Sequence, residues 1–303
     1  MRSSKRLSKR LSEASREADL PVLGYVVYWS MRGVEIPEEK VESLLKRYRL
    51  EEELSPEQTA RAALNRALHV ATKKKMIRLI DSNWREVVYA VVRESVDKEG
   101  QDVSYDRESL VIFDKRNEYI RFKGKHVEEV QRLFKHYIGR LTTHQIRKAL
   151  IDLVDSKGGV AMRTSGGVYH LGPEHKDLIQ RLHGFISEVG NDSYFHYFGI
   201  IDSKAAKEAL LAAFKEDLKG EISKQRKHLD VIGKRGRSMT EVNVEVGENR
   251  FASMKSRVKR VCALTGNKET AFKDQLSQVE ALHTNFRSIV ARRSATFGKK
   301  KRA

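Results

Sequence analysis

The fold of this chain is decided by a central stretch, residues 127–171, which reads VEEVQRLFKHYIGRLTTHQIRKALIDLVDSKGGVAMRTSGGVYHL. Apolar residues recur at helical spacing over 127–138 and again over 142–156, with a glycine between the two runs. Short apolar runs at 160–163 and 168–171 then flank a turn that contains glycines. Two short helices followed by a hairpin are the order of a winged helix-turn-helix unit, with the hairpin as the wing.

The second of these helices offers a candidate nucleic-acid-contacting face. Its cations lie early and its acids late, which suits a helix whose N-terminal end is directed toward phosphates. The predicted contacts, including one arginine in the wing, are His144, Gln145, Arg147, Lys148 and Arg163. Small helix-helix-hairpin units also serve as protein-protein modules, so both interpretations stay open at this point.

The composition points to a polyanion as the partner. The chain has 59 Lys and Arg against 41 Asp and Glu, a formal net charge of +18. A membrane surface also attracts basic chains, but the sequence lacks the apolar run of about 18 residues that a spanning helix needs. The first 20 residues are charged and do not resemble a signal peptide, so we expect a cytoplasmic protein. The single cysteine, Cys262, lies in an apolar helical pattern and is expected to be a small hydrophobic residue.

Changes in pattern along the chain predict an α+β protein in five parts. They are a basic flexible arm at 1–20, an α+β domain at 21–125, a winged-helix-like domain at 126–202, a helical hairpin or coiled-coil region at 203–292 and a basic tail at 293–303. Only the middle three parts carry the apolar periodicity of folded elements.

In the α+β domain, Val22 to Trp29 reads as a strand buried on both faces. Helices are predicted from Pro37 to Tyr48 and from Ser55 to Thr72, the second with a face of small residues for close packing. Three consecutive antiparallel strands follow, at 86–96, 103–114 and 118–122, and the strand at Val22 is a candidate to join their sheet. The winged-helix-like domain closes with a helix at 174–189 and a strand at 194–201.

The C-terminal region has two long apolar seams with alternating steps of three and four residues, at 211–232 and 272–289, and a shorter helix at 250–264. The seams fit an intramolecular helical hairpin or three-helix bundle, which we favour because the glycine-containing breaks let the chain fold back. A homo-oligomeric coiled coil or a protein partner bound through 203–292 is the alternative.

Two basic clusters accompany these helices. One follows the first seam and the other is the C-terminus: Lys234, Arg235, Arg237, Lys299, Lys300, Lys301 and Arg302. Such clusters bind phosphates without reading bases, and each phosphate contact steepens the log-log salt dependence of binding by about 0.9. Charge runs also occur as solvated surface or tails.

The sequence contains no convincing set of catalytic residues, and we expect neither a cofactor nor a metal site. A phosphate-binding loop of the G-x-x-x-x-G-K-[ST] type is missing. His170 and His175 have no cysteine near them and no ligand partner at helical spacing. Asp114, Glu118 and Lys123 superficially fit a nuclease, although charged residues are also common in turns. We therefore expect a protein that is not an enzyme.

The line GGVAMRTSGGVYHL at 158–171, preceded by the helix from Thr142 and followed by the helix start at Pro173-Glu174-His175, resembles an uncharacterised family of phage and mobile-element proteins with a central winged-helix-like segment. The resemblance carries no activity to transfer. It implies a context, the cytoplasm of a bacterial, archaeal or phage-infected host cell.

The sequence therefore favours a non-enzymatic nucleic-acid-binding protein, with DNA favoured over RNA. The winged unit would contact nucleic acid, and the basic helical region and tails would add sequence-neutral affinity. The alternative is an assembly or adaptor protein that oligomerises or binds a protein through its C-terminal helices.

Overall fold

The computed structural model describes residues 21–73, 75–96, 103–125, 127–163, 167–235 and 241–300. The predicted arm at 1–20, and the cations Arg237, Lys301 and Arg302, lie outside these residues. The described chain is a mixed α+β protein with antiparallel sheets and C-terminal helices, which confirms the predicted fold class.

The elements are numbered in chain order. The strands are β1 (Val22–Ser30), β2 (Glu35–Pro37), β3 (Met76–Ser82), β4 (Glu86–Val96), β5 (Val103–Asp114), β6 (Tyr119–Gly124), β7 (Arg140–Thr142), β8 (Val160–Ala161), β9 (Val168–Leu171) and β10 (Tyr194–Ile201). The helices are α1 (Glu38–Tyr48), α2 (Ala60–Thr72), α3 (Val127–Tyr137), α4 (Thr143–Ser156), α5 (Lys176–Val189), α6 (Lys204–Arg235), α7 (Glu241–Thr265) and α8 (Lys273–Lys300). None of these helices is long and apolar enough to cross a membrane.

The chain forms two compact units that divide it differently from the predicted boundaries. Of the described residues, unit 1 takes those up to Ser30, those within Leu150–Ser187 and those from Ser193 onward. Unit 2 takes Met31–Ala149 and Glu188–Asp192. The order of elements predicted for a winged unit is present, but its first helix, α3, belongs to unit 2 and its hairpin belongs to unit 1.

Unit 2 is built on the antiparallel meander β3-β4-β5-β6, three strands of which the sequence predicted. One face of this sheet packs with α2 and α3 in a core that includes Leu64, Val91 and Leu133. The small-residue face of α2 is buried, as predicted: Ala63 and Ala67 have no exposed surface. The helix begins later than the Ser55-Pro56 signal indicated, because the Thr59 hydroxyl caps it by accepting a hydrogen bond from the Ala62 N–H at 3.1 Å.

Unit 1 contains a second four-stranded sheet in the order β10-β1-β9-β8. The expectation that the strand at Val22 joins the meander is wrong, because β1 pairs with β10 along its whole length and with β9 on its other side. A central position gives a strand that is apolar throughout neighbours on both of its edges. Five consecutive residues, from Leu23 to Val27, are accordingly buried.

The predicted wing is part of this same sheet. Its two strands are confirmed as β8 and β9, although the first ends at Ala161 rather than at Arg163. Because β9 has β8 on one side and β1 on the other, its backbone is hydrogen-bonded on both edges. The hairpin therefore does not project as an isolated ribbon.

The C-terminal region of unit 1 is a three-helix bundle, which confirms the intramolecular alternative. The seam residues of α6 and α8 are buried within the chain's own core, together with residues of α7: Phe214, Leu218, Ile222, Leu229, Phe251, Met254, Val258, Val279, Leu282 and Phe286. Cys262 belongs to the same core, as expected from its apolar surroundings. The seams thus find their partners without a second chain.

Candidate nucleic-acid interface

The predicted contact face of α4 is largely exposed on its first turns. His144, Arg147 and Lys148 are exposed and, at positions i, i+3 and i+4, lie on one side of the helix. Arg147 also donates from Nη2 to the backbone carbonyl of Met31 at 3.2 Å, which anchors its guanidinium. Three of the predicted contacts are therefore brought together at one surface of unit 2.

Gln145 is engaged inside unit 2 instead. Its Oε1 accepts hydrogen bonds from the backbone N–H of Thr142 at 3.1 Å and from the Thr142 hydroxyl. Its Nε2 donates to Oε1 of Gln58. The side chain is half-buried and closes the start of α4 in the manner of a capping box, so its hydrogen-bonding groups are already occupied.

Arg163, the predicted contact in the wing, lines a cavity of about 720 Å³ in unit 1 together with Lys224 of α6. The cavity lining is mixed in charge: the cations Arg163, Lys224 and Arg257 lie with the acids Asp155, Glu216, Asp217 and Glu221. A lining with this balance of charge does not make an anion site.

Arg257 of α7 organises the inner wall of that cavity. Its side chain is only 7% exposed. The guanidinium donates to Oε2 of Glu221 at 2.7 Å, to the carbonyl of Gly159 at 2.9 Å and to Asp217. These bonds join α7 to α6 and to the turn before β8, which is a structural role with strong, charge-assisted hydrogen bonds.

Two carboxyl groups near Arg257, those of Asp155 and Glu221, have raised pKa values. Burial raises the pKa of the Asp155 carboxyl to about 6; the Arg257 guanidinium opposes this shift, and the carboxylates of Glu221 and Asp217 add to it. Burial also raises the pKa of Glu221. Loss of hydration on burial is the main cause of both shifts, and the neighbouring carboxylates add to it because each additional negative charge disfavours ionisation.

The excess positive charge of the chain lies in the bundle and its tail. Between residues 204 and 303 there are 24 Lys and Arg against 11 Asp and Glu, whereas residues 21–203 hold 29 against 27. The region with the predicted winged segment is therefore close to neutral. A polyanion is attracted mainly to the C-terminal helices.

Contacts between the three helices of the bundle define their relative directions. Phe214, in the first half of α6, and Phe272, just before α8, have ring centroids 5.3 Å apart, so α8 begins beside the first half of α6. Near the start of α7, Glu248 bonds to Arg287 in the second half of α8 at 3.0 Å. Helices α6 and α8 thus run in parallel and α7 returns between their ends, which brings the last residues of α6 and α8 to one end of the bundle.

We call this end the basic end and define it as residues 224–235, 241–250 and 287–300. It carries eleven cations: Lys224, Arg226, Lys227, Lys234, Arg235, Arg250, Arg287, Arg292, Arg293, Lys299 and Lys300. It carries four acids: Asp230, Glu241, Glu245 and Glu248. The clusters at Lys234 and Lys299 are far apart in the sequence. They nevertheless lie at the C-termini of α6 and α8, which are at the same end of the bundle.

The opposite end of the bundle, residues 202–215 and 256–274, has a smaller excess of cations. It carries eight cations against four acids: Lys204, Lys207, Lys215, Arg257, Lys259, Arg260, Lys268 and Lys273 with Asp202, Glu208, Glu269 and Asp274. Lys207 pairs with Asp202 at 2.7 Å, Lys204 with Glu208 at 3.9 Å and Arg257 with Glu221 at 2.7 Å. The excess of cations over acids is thus seven at the basic end and four at the opposite end.

The cations of the basic end that sequence reasoning missed include Lys224, Arg226 and Lys227 on α6, all exposed. The run KQRKH at 224–228 was the available signal, but these residues were interpreted only as part of the apolar seam that passes through them. Because the seam occupies one side of the helix, the cations between its positions are left outward.

Comparison with known proteins identifies a family whose model matches the chain. No curated protein and no solved structure matches the chain. The match covers residues 22–289, which include parts of both units and most of the bundle. The chain belongs to the family described as "Family of unknown function (DUF6744)".

Proposed function

We propose that this protein is a non-enzymatic nucleic-acid-binding protein that contacts the phosphate backbone through the basic end of its three-helix bundle. The observation that carries the proposal is the convergence of the helix ends at Lys234 and Lys299, which concentrates eleven cations against four acids. Cations in this density neutralise phosphates and release condensed counterions, so they bind without selecting a sequence. DNA is the favoured ligand.

Helix electrostatics alone does not account for this density of cations. Lys and Arg in the last turn of a helix offset the negative end of the helix dipole, by about 0.3–1 kcal/mol each. That effect falls off within one turn, whereas the cations of the basic end extend back over three turns of α6, to Lys224. A ligand of opposite charge explains the whole set.

The exposed face of α4 is a second contact in the proposal, through His144, Arg147 and Lys148. Changing both Arg147 and Lys148 to Glu tests it by electrophoretic mobility shift. We expect weaker binding to duplex DNA, and unchanged affinity would remove α4 from the mechanism.

The main experiment compares two triple variants with the same loss of charge. The basic-end variant carries Lys227→Gln, Lys234→Gln and Arg235→Gln; the control carries Lys204→Gln, Lys268→Gln and Lys273→Gln at the opposite end. Binding to a 20-base-pair duplex is measured by fluorescence anisotropy across a salt series. For the basic-end variant we expect the log-log salt slope to fall by up to about 2.7, about 0.9 per lost phosphate contact, and for the control almost no change.

Equal losses in both variants would show that net charge acts without a defined surface, and would overturn the basic end as the site. A wild-type protein with no affinity for any nucleic acid would remove the function itself. A salt-insensitive oligomer in light scattering would then favour the alternative, an assembly or adaptor role through residues 203–292. The phage or mobile-element context belongs to this same proposal.

A further inference from the structure

One face of the β1–β10 pair in unit 1 carries exposed aromatic rings. The register places Tyr28 opposite His196, Ser30 opposite Tyr194 and Val26 opposite Phe198, so the side chains of these pairs share one face. Tyr194 is 45% exposed and Phe198 is 55% exposed. We name the four rings of Tyr28, Tyr194, His196 and Phe198 the aromatic platform.

Three of the four rings contact one another. The ring centroids are 5.0 Å apart for Tyr194 and His196, 5.3 Å for Tyr28 and His196, and 6.5 Å for Tyr28 and Tyr194. The planes are tilted by 32°, 45° and 76°, so these rings support each other and keep surface open to solvent. Phe198 follows His196 by two residues on the same strand, about 6.8 Å further along.

The opposite face of the same strands shows how aromatic residues behave when they form a core. Trp29 lies parallel to Tyr169 at 5.2 Å and to Phe195 at 5.9 Å, with planes within 8°. Trp29 is 8% exposed and Phe195 has no exposed surface. The rings of that face are buried against one another, whereas Tyr194 and Phe198 on the platform face keep about half of their surface exposed.

We infer that the aromatic platform is a stacking surface for the unpaired bases of single-stranded nucleic acid. The inference rests on the proposed function and names its substrate class. Every base has a flat face that stacks on an aromatic ring whatever the sequence, and a row of rings along a strand receives successive bases. The bases of a duplex are already stacked inside it and cannot reach such a surface.

Charge and strand pairing favour this occupant over a second protein strand. The platform shares unit 1 with the three-helix bundle, and residues 204–303 hold 24 Lys and Arg against 11 Asp and Glu, an excess that attracts a polyphosphate and repels a second copy of the chain. At the edge strand β10 the carbonyl of Phe195 is already hydrogen-bonded to Nδ1 of His183 at 2.6 Å. An added strand would have to compete with that bond for pairing at this position.

The test uses a double variant, Tyr194→Ala with Phe198→Ala, in the full chain. The matched control removes two exposed rings from the sheet of unit 2, Tyr105→Ala with Tyr119→Ala, which are 56% and 62% exposed. A conservative variant, Tyr194→Phe with Phe198→Tyr, keeps both rings. Binding to a 20-nucleotide oligothymidylate and to a 20-base-pair duplex is measured by fluorescence anisotropy over a salt series, after circular dichroism has shown that each variant is folded.

We expect the platform variant to bind the single strand about 100-fold more weakly, about tenfold per ring, with duplex affinity and salt slope unchanged. The salt slope separates the two proposals, because stacking releases no counterions whereas the basic end does. The control and the conservative variant should bind as the wild type does. Ultraviolet crosslinking of the bound oligothymidylate should label the peptide that contains residues 194–201.

If the platform variant binds the single strand as tightly as the wild type does, the inference is overturned and the proposed function is unaffected. An equal loss for duplex and single strand, or a change of oligomeric state in the variant, would overturn it as well, the latter by making the platform a self-association surface. If the wild-type protein binds no nucleic acid, the inference falls together with the proposed function.

Discussion

The two four-stranded sheets of this protein are built in opposite ways. In unit 2 the strands β3, β4, β5 and β6 lie side by side in chain order, and at most six residues separate consecutive strands. In unit 1 the order is β10-β1-β9-β8, so that strand β1 from the start of the chain lies between two strands from beyond its middle. The first sheet depends on neighbours in sequence, and the second depends on close approach between distant segments.

This difference determines where each sheet is vulnerable. The meander presents one face to α2 and α3, so its stability depends on the packing of that face. The sheet of unit 1 depends on two strand pairings that hold β1 in place, and a single clash between β1 and β9 acts on the whole assembly. Three changes test this contrast, in decreasing order of expected effect.

Gly24→Ala tests the close approach of β1 to β9. A Cβ at this position would overlap the backbone carbonyl of Leu171 and the imidazole of His170. Because a backbone atom cannot turn away, we expect a loss of about 3 kcal/mol in the free energy of unfolding, measured by urea denaturation. Hydrogen exchange should rise in peptides of β1, β9 and β10 while those of β4 and β5 stay protected.

The control for that change is Gly220→Ala in α6, where an added Cβ meets no atom within 4 Å. Alanine favours a helix over glycine, so this variant should be more stable by about 0.5–1 kcal/mol. Equal exchange in both sheets of the Gly24 variant would show that the two units unfold together and would break the comparison.

His170 tests the same region through pH. Its imidazole is 1% exposed, and burial lowers its pKa to about 4, against an opposing effect of the Glu174 carboxylate and of a hydrogen bond with Leu23. The folded protein therefore holds it neutral, whereas the unfolded chain takes up a proton near pH 6.5. Above pH 6.5 the titration of His170 does not change the free energy of unfolding. As the pH falls from 6.5 to 4, the proton binds to the unfolded chain and not to the folded protein, which lowers the free energy of unfolding by up to about 3 kcal/mol.

His170→Gln should remove that part of the acid sensitivity, so urea midpoints of wild type and variant are compared between pH 7.5 and 4. The difference between the two curves isolates the imidazole from carboxylates that titrate in the same range. A wild-type imidazole resonance that titrates near pH 6.5 by NMR would contradict the prediction.

Ala67→Leu is the corresponding change in unit 2. Ala67 on α2 has no exposed surface and lies in the core under the meander, so a larger side chain forces the helix and sheet apart. We expect a loss of about 2 kcal/mol, with hydrogen exchange raised in β4 and β5 and not in β1. Val70→Leu on the same helix, where the side chain is 44% exposed, should change stability by less than about 0.5 kcal/mol. A destabilised β1 in the Ala67 variant would show that the meander supports the other sheet.

Much of the secondary structure was predictable because it depends on short-range periodicity. The strands β4, β5 and β10 have the predicted bounds, and the helices of the bundle contain the predicted seams. Strand β3 was missed, because it is an edge strand with exposed residues such as Leu79 and Ile80 and therefore lacks a clean alternation. The start of α2 was misplaced by a false capping signal at Ser55, four residues before the true cap at Thr59.

The candidate site was predictable only in pieces. The clusters at Lys234 and Lys299 are visible as runs of charge, but their meeting at one end depends on the direction of α7 between α6 and α8. The engagement of Gln145 has a local signal, the capping-box spacing from Thr142 to Gln145, whereas its bond to Gln58 depends on another part of unit 2. The meeting of the two clusters and the Gln58 bond cannot be obtained from residues close in sequence.

The sequence by itself determined the α+β class, the positions of most strands and helices, the apolar seams of the bundle and the large positive charge. Those properties follow from hydrophobic spacing and composition, which each segment carries whatever surrounds it. Only the tertiary structure decided that β1 leaves the meander for β9 and β10, and which aromatic rings of β10 face solvent. The physical reason is that strand pairing is a competition among all apolar strands of the chain, and its outcome depends on what each face finds to pack against.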